Sequence, residues 1–317
     1  MKTVYINSIA SISAQKTFDN SEFLNVFIDY EEHVINVVNP NYKDYIPPAA
    51  SRRMAKGIKM GVVAAKIALQ EAGLDNIDAI ITGTGMGCVR DSEKFVSAII
   101  DNDEQYLTPT SFIQSTHNTV GGQIALELKC KGYNFTYVHG SNSFESALLD
   151  AKLQLELNEE KNILIGGVDE LGDHTITIHK LINHIKREDV KASKLLDYKT
   201  EGAVFGEGAN FFELSNEKKA TSFAEVLSIQ LFNTLNQSEV SEAALRFLKD
   251  NNMTVKDIDL IVLGNNGDVD YDTYYDIVSG ELFENTQQVY YKHLCGEFNT
   301  ASSFGLWLAS KILKTQT

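Results

Sequence analysis

Residues 134–167 read NFTYVHGSNSFESALLDAKLQLELNEEKNILIGG. Phe135-Thr-Tyr-Val138 has the aromatic and β-branched content of a strand. His139-Gly-Ser-Asn-Ser143 reads as a turn, and Ser141, Asn142 and Ser143 are all suited to cap a helix. A Ser at such a turn, beside helix N-terminal amides, is also where acyl chemistry is often sited, although local sequence alone favours the cap. Residues 143–157 carry apolar side chains at helical spacing, and Asn162-Ile-Leu-Ile165 is a second strand that ends in Gly166-Gly167. Strand, helix, strand is the unit of a layered α/β protein.

The same alternation extends in both directions. Upstream, residues 3–9 form a strand, and 14–50 are irregular, with turn signals at Asn39-Pro40 and Pro47-Pro48. Ser51 is placed to cap a helix over 52–72 that Gly73 ends. Residues 78–82 are a short buried strand, Asp91 or Ser92 starts another helix, and 121–128 is helical. Downstream, 203–214 reads as a hairpin around Gly206-Glu-Gly208. Strands over 223–229, 258–263 and 288–290 then alternate with helices over 240–249, 272–278 and 300–313. The polar stretch Ser215-Asn-Glu-Lys-Lys219 divides the chain into halves, 1–217 and 218–317.

Composition narrows the function. The 28 basic and 43 acidic side chains give a net charge of −15, which argues against nucleic acid as a partner. No window of about 18 apolar residues spans a membrane. Met1 to Ser13 lacks the apolar run and cleavage site of a signal peptide. Cys88, Cys130 and Cys295 are too few and too scattered for a disulfide framework or a zinc site, so a reducing cytoplasm is expected. No cofactor is expected. Gly83-Thr-Gly-Met-Gly87 follows a strand but lacks dinucleotide-site spacing, so it reads as a tight turn. His174, His179 and His184 are spaced so that on one helix each would be rotated about 140° from the last. They read as surface histidines, not metal ligands.

Taken together, these segments resemble the β-ketoacyl synthase family of the thiolase fold. Ser51-Arg-Arg-Met54 matches that family's Ser-Arg-Arg-Met segment, and Gly83-Thr-Gly-Met-Gly87 its Gly-Ser-Gly-Ile-Gly turn. Thr108-Pro109 through Asn118 and Gly121, then Lys131-Gly132, Gly166-Gly167, residues 201–209 and Lys292-His-Leu-Cys-Gly296 match further motifs. From 108 to 170 the family pattern lies down without a gap. The resemblance implies two related α-β-α-β-α layered halves, the second shortened at its C-terminus, leaving an edge strand in need of cover.

It also implies decarboxylative condensation on an acyl carrier protein, by a Cys thiolate, two His and a Lys. Here the Cys position falls on Ser141, the first His on Asn266 or Asn265, and the second His on Glu297; Lys292 alone keeps its family identity. A Ser hydroxyl without a base is a poor nucleophile, and a carboxylate opposes a developing enolate.

Three readings follow. In the first, the chain is a silent, chain-length-factor-like partner of a Cys-containing ketosynthase in fatty acid or polyketide synthesis of the aryl-polyene or flexirubin type. The family's dimer then forms along residues 134–138, and residues 110–116 line the tunnel. In the second, the chain, alone or as a homodimer, is an active acyl-transfer enzyme with Ser141 as acceptor and Glu297 as base. In the third, it is an ordinary condensing enzyme with the site residues misaligned. Arg52, Arg53, Lys56 and Lys59 are candidates for meeting an acidic carrier, beside the simpler role of a solvated helix face.

Overall fold

A computed structural model describes residues 2–19, 23, 24, 26–157 and 159–316; residues 20–22 and 25 of the irregular stretch therefore lie outside the described residues. The strands are β1 (Tyr5–Ile12), β2 (Ala79–Gly83), β3 (Asn134–Tyr137), β4 (Asn162–Asp169), β5 (Gly208–Ser215), β6 (Ala224–Glu225), β7 (Leu260–Leu263) and β8 (Gln287–Tyr290). The helices are α1 (Pro48–Ser51), α2 (Lys56–Ala72), α3 (Val89–Asp101), α4 (Pro109–Ser115), α5 (Thr119–Leu128), α6 (Ser143–Leu157), α7 (Asp173–Leu181), α8 (Val240–Asp250), α9 (Asp272–Ile277), α10 (Lys292–Cys295) and α11 (Ser302–Thr315).

The first sheet has the order β3-β2-β4-β5-β1-β6. β2 runs parallel to both β3 and β4, and the pairs from β4 to β6 are antiparallel. A strand covered on both faces reads as an unbroken apolar run, as Ala79-Ile-Ile81 does. On one face, Ile80 and Leu164 pack with Met60 and Val63 of α2 and Val120 of α5. On the other, Ile81 and Ile163 pack with Phe144 and Ala147 of α6 and Phe304 and Trp307 of α11. Each such side chain, fully buried, contributes about 1.5–3 kcal/mol. α11 packs against β1 and β5 of this sheet and against β7 of the second, so α6 and α11 form a middle layer.

The second half repeats part of the first. α8, β7, β8 and α11 follow one another as α2, β2, β3 and α6 do, and β7 and β8 are parallel. β2 has strand partners on both edges, whereas β7, among the described residues, has only β8. The expected strand over 223–229 shrinks to Ala224–Glu225, which pairs with Tyr5 and Ile6 of β1. The Val226 N–H still reaches the Val4 carbonyl at 2.8 Å, but among the described residues 227–229 pair with no strand. A strand forms only where its backbone groups find a ladder.

Three other expectations change. Ser51 does not cap a long helix: residues 52–54 are a turn and α2 begins at Lys56. The Gln114 amide takes the Ala55 N–H and donates to the Arg53 carbonyl, so a tertiary contact breaks the helix there. Residues 203–214 are not a hairpin, because β5 pairs with β1 and β4, and Phe205 makes only isolated bridges to Val34 and Glu297. Finally, His179 and His184 are not apart. α7 stops at Leu181, Asn183 takes φ +61°, and the two imidazoles come together. Among the described residues no helix is long and apolar enough to cross a membrane.

Candidate functional site

The site forms where β2, β3, β4, β7 and β8 hand the chain to turns and helices. The Gly83–Gly87 turn lies against the start of α6: a Cβ on Gly83 would overlap the Ser143 backbone, and one on Gly85 the Asn299 amide. Gly87 adopts φ +63°, a conformation that Gly takes without cost. The Ser143 hydroxyl, not that of Ser141, ties the turn: it accepts the His139 N–H at 2.8 Å and lies 2.7 Å from the Gly140 carbonyl. Ser141 sits one step earlier, in the single turn Gly140–Asn142 that leads into α6. Its exposed hydroxyl has no hydrogen-bond partner among the described residues.

Ser141, Asn266, Lys292 and Glu297 line one cavity of about 500 Å³. Lys292, buried at the start of α10, donates to Glu297 Oε1 at 2.5 Å. Asn266 Nδ2 donates to Glu297 Oε2 at 2.7 Å. Both oxygens of Glu297 are thus engaged by two of the residues expected to face a substrate. Burial pulls the Lys292 ammonium down, but Glu297 more than offsets it and the ammonium is held above its ordinary value. Asn265 turns away from this cavity and donates to Asp276 at 2.9 Å. The loop is fixed from below by Asp272, whose two oxygens accept the Asn266 and Gly267 amides, each at 2.9 Å.

The sequence reading missed several lining residues: Glu145, His184, Phe205, Asp268 and Tyr275. Glu145 was legible in principle, because it follows Ser141 by about one helical turn. Burial pushes its carboxyl up, with Ser302 and Lys292 opposing. Carboxylates at Glu145, Asp268 and Glu297 give the cavity an acidic lining. A smaller cavity of about 150 Å³ shares Ser141, Phe205 and Glu297 with it and adds Met86, Val89, Ile176 and His179.

None of the three thiols lines either cavity. Cys88 and Cys295 are buried, and burial pushes both thiols up, away from thiolate character. Among the described residues no cluster of three or more His, Cys, Asp or Glu could hold a metal. Of the four basic residues named above, Lys56 is already ion-paired with buried Glu207, whereas Arg52 and Arg53 are exposed.

β3 is the edge of the first sheet, yet it is aromatic rather than charged. Tyr133 stacks on Phe135 with centroids 6.1 Å apart, Phe135 meets Tyr137 at 4.9 Å, and Phe135 is 45% exposed. α5 packs on β3 and α4 on α5, so exposed Leu126, Phe112 and Ile113 extend this surface. Edges left this apolar are normally covered.

Residues 36–220 match the family model for the beta-ketoacyl synthase N-terminal domain. Comparison with curated proteins gives no match. Among solved structures, a beta-ketoacyl synthase from Burkholderia phymatum STM815 superposes with a TM-score of 0.79 at 16% identity, over 99% of this chain and 87% of that one. The ishigamide ketosynthase/chain length factor gives 0.78 at 18% identity, over 99% and 86%. The ketosynthase ApeO in complex with its chain length factor ApeC, from Xenorhabdus doucetiae, gives 0.75 at 16% identity, over 97% and 84%. The fold is therefore the thiolase-like fold of ketosynthases, and with more than half its length under the family model the chain belongs to the β-ketoacyl synthase family.

Proposed function

We propose that this chain does not condense by itself and acts as a chain-length-factor-like partner of a Cys-containing ketosynthase. The observation that carries the reading is the closed Lys292–Glu297–Asn266 network. Glu297 places a negative charge in the cavity, where a condensing site must stabilise an enolate, and it ties up the Lys292 ammonium. A malonyl carboxylate would meet Asp268 as well. Among the described residues Ser141 has no base within hydrogen-bond reach, and a helix terminus does not ionise a hydroxyl as it does a thiol.

The aromatic β3 edge supplies the surface for the partner, with Phe112 and Ile113 of α4 beside it. Structural neighbours described as ketosynthase/chain length factor assemblies support this arrangement, and one neighbour is a ketosynthase complexed with an acyl carrier protein. The acyl substrate then arrives on a carrier protein, in polyketide or fatty acid synthesis of the aryl-polyene or flexirubin type. Malonyl- and acyl-carrier protein incubated with the chain alone should give no β-ketoacyl product by mass spectrometry. Product formed by the chain alone, and lost in Lys292→Ala, would establish condensation and end this reading.

One feature favours a second reading. Ser141 is exposed, unpartnered and shared by both cavities, as an acyl acceptor would be. A phosphonate probe that labels the native chain but not Ser141→Ala would establish it.

A further inference from the structure

His179 and His184 meet beside the cavities through the way α7 ends. Asn183 takes the left-handed conformation, the His184 N–H donates to the His179 carbonyl at 2.9 Å, and the Asn183 N–H reaches the Lys180 carbonyl at 3.4 Å. These are the paired bonds of a Schellman motif, in which the residues at the ends of the longer bond commonly make an apolar contact. Here those two positions carry imidazoles, with Nδ1 to Nδ1 at 3.1 Å. The backbone closure fixes the spacing before any ligand arrives. The His179 ring is also backed by Phe205, with centroids 4.8 Å apart.

Two nitrogens on one Zn²⁺, each at about 2.0–2.1 Å and separated by about 90–109°, lie roughly 2.8–3.4 Å apart. The observed spacing falls inside that range. His179 lines the smaller cavity and His184 the larger, so a cation held between them would face both. The protein offers two ligands, since no third His, Cys, Asp or Glu joins them among the described residues. The remaining positions would be left to water or to an oxygen of whatever enters the cavity, one open position more than in zinc sites with three protein ligands.

We propose that His179 and His184 form a two-imidazole site for a borderline divalent cation, Zn²⁺ in the first instance, at the mouth of the two cavities. The proposal is independent of whether the chain condenses or pairs with a ketosynthase. Calorimetric titration of ZnCl₂ into the full chain should show one site that His179→Leu and His184→Leu each abolish. The double variant keeps an apolar contact at the Schellman positions, so it should fold, and Zn²⁺ should raise the melting temperature of the native chain alone. With Cu²⁺, electron paramagnetic resonance should show two nitrogen donors, reduced to one in either single variant. No heat with the native chain, equal heat with the double variant, or a nitrogen signal unchanged by the substitutions would show that the imidazoles only hydrogen-bond to each other.

Discussion

On the proposed partner role, Glu297 sets the chemistry because of what holds it. A carboxylate free in the cavity would leave Lys292 available to an anionic substrate; one fixed by Lys292 and Asn266 does not. Position 141 differs, since its backbone setting, a turn leading into α6, would suit a thiolate. The thiol introduced by Ser141→Cys should therefore react with iodoacetamide faster than buried Cys88 and Cys295, as peptide mass spectrometry would show. Equal or slower labelling would remove the case for α6 as an activating terminus. Glu170 gives a pH prediction. Burial raises its carboxyl from 4.5 to about 7, against the Gly57 and Arg90 amides that lower it. Between those values the folded chain keeps a proton that the unfolded chain has released, so stability falls as pH rises through that window. Glu170→Gln should flatten the fall in denaturant unfolding; identical slopes would contradict it. At this scale motif register in the sequence pointed to Ser141, Lys292 and Glu297, which line one cavity, but only the loop that Asp272 fixes shows that Asn266, and not Asn265, lines it with them.

Among elements, α6 came out of the sequence with its observed bounds, because its apolar spacing needs no partner to be read. Gly206 misled, since it looks like a turn residue but lies where a Cβ would overlap the Cys295 carbonyl. The end of α7 was illegible because no Gly or Pro marks it, and Asn183 carries the left-handed conformation instead. The strand over 223–229 was a sound local reading that stopped at Val226 for want of a neighbour beyond it. Amides at 227–229 should accordingly exchange with deuterium much faster than those of β2, which is buried and paired on both edges. Comparable protection in the isolated chain would contradict the short β6. At the opposite edge, Phe135→Asp should cost the isolated chain only about 1 kcal/mol of stability, because Phe135 is nearly half exposed and packs mainly on Tyr133 and Tyr137. The same change should abolish binding to a ketosynthase partner in size-exclusion chromatography. Retained binding would move the interface away from β3.

Across the whole molecule, the scaffold brings the four candidate site residues into one cavity. The thiolase-like layers, the glycine turn against α6 and the Asp272-held loop are intact, and these are features of packing. Under the proposed partner role, the residues at the nucleophile and histidine positions are the parts replaced, and fold alone does not supply them. A subunit of that kind would act through the protein it joins, and its effect would be read in that protein's product. The decisive experiment is reconstitution of a Cys-containing ketosynthase from the same host, with its carrier protein and malonyl donor, in the presence and absence of this chain. Acyl-chain length is measured by mass spectrometry. A product whose formation or length depends on this chain, and which survives Ser141→Ala, is the expected result. The same product at the same rate and length without this chain would contradict the partner role.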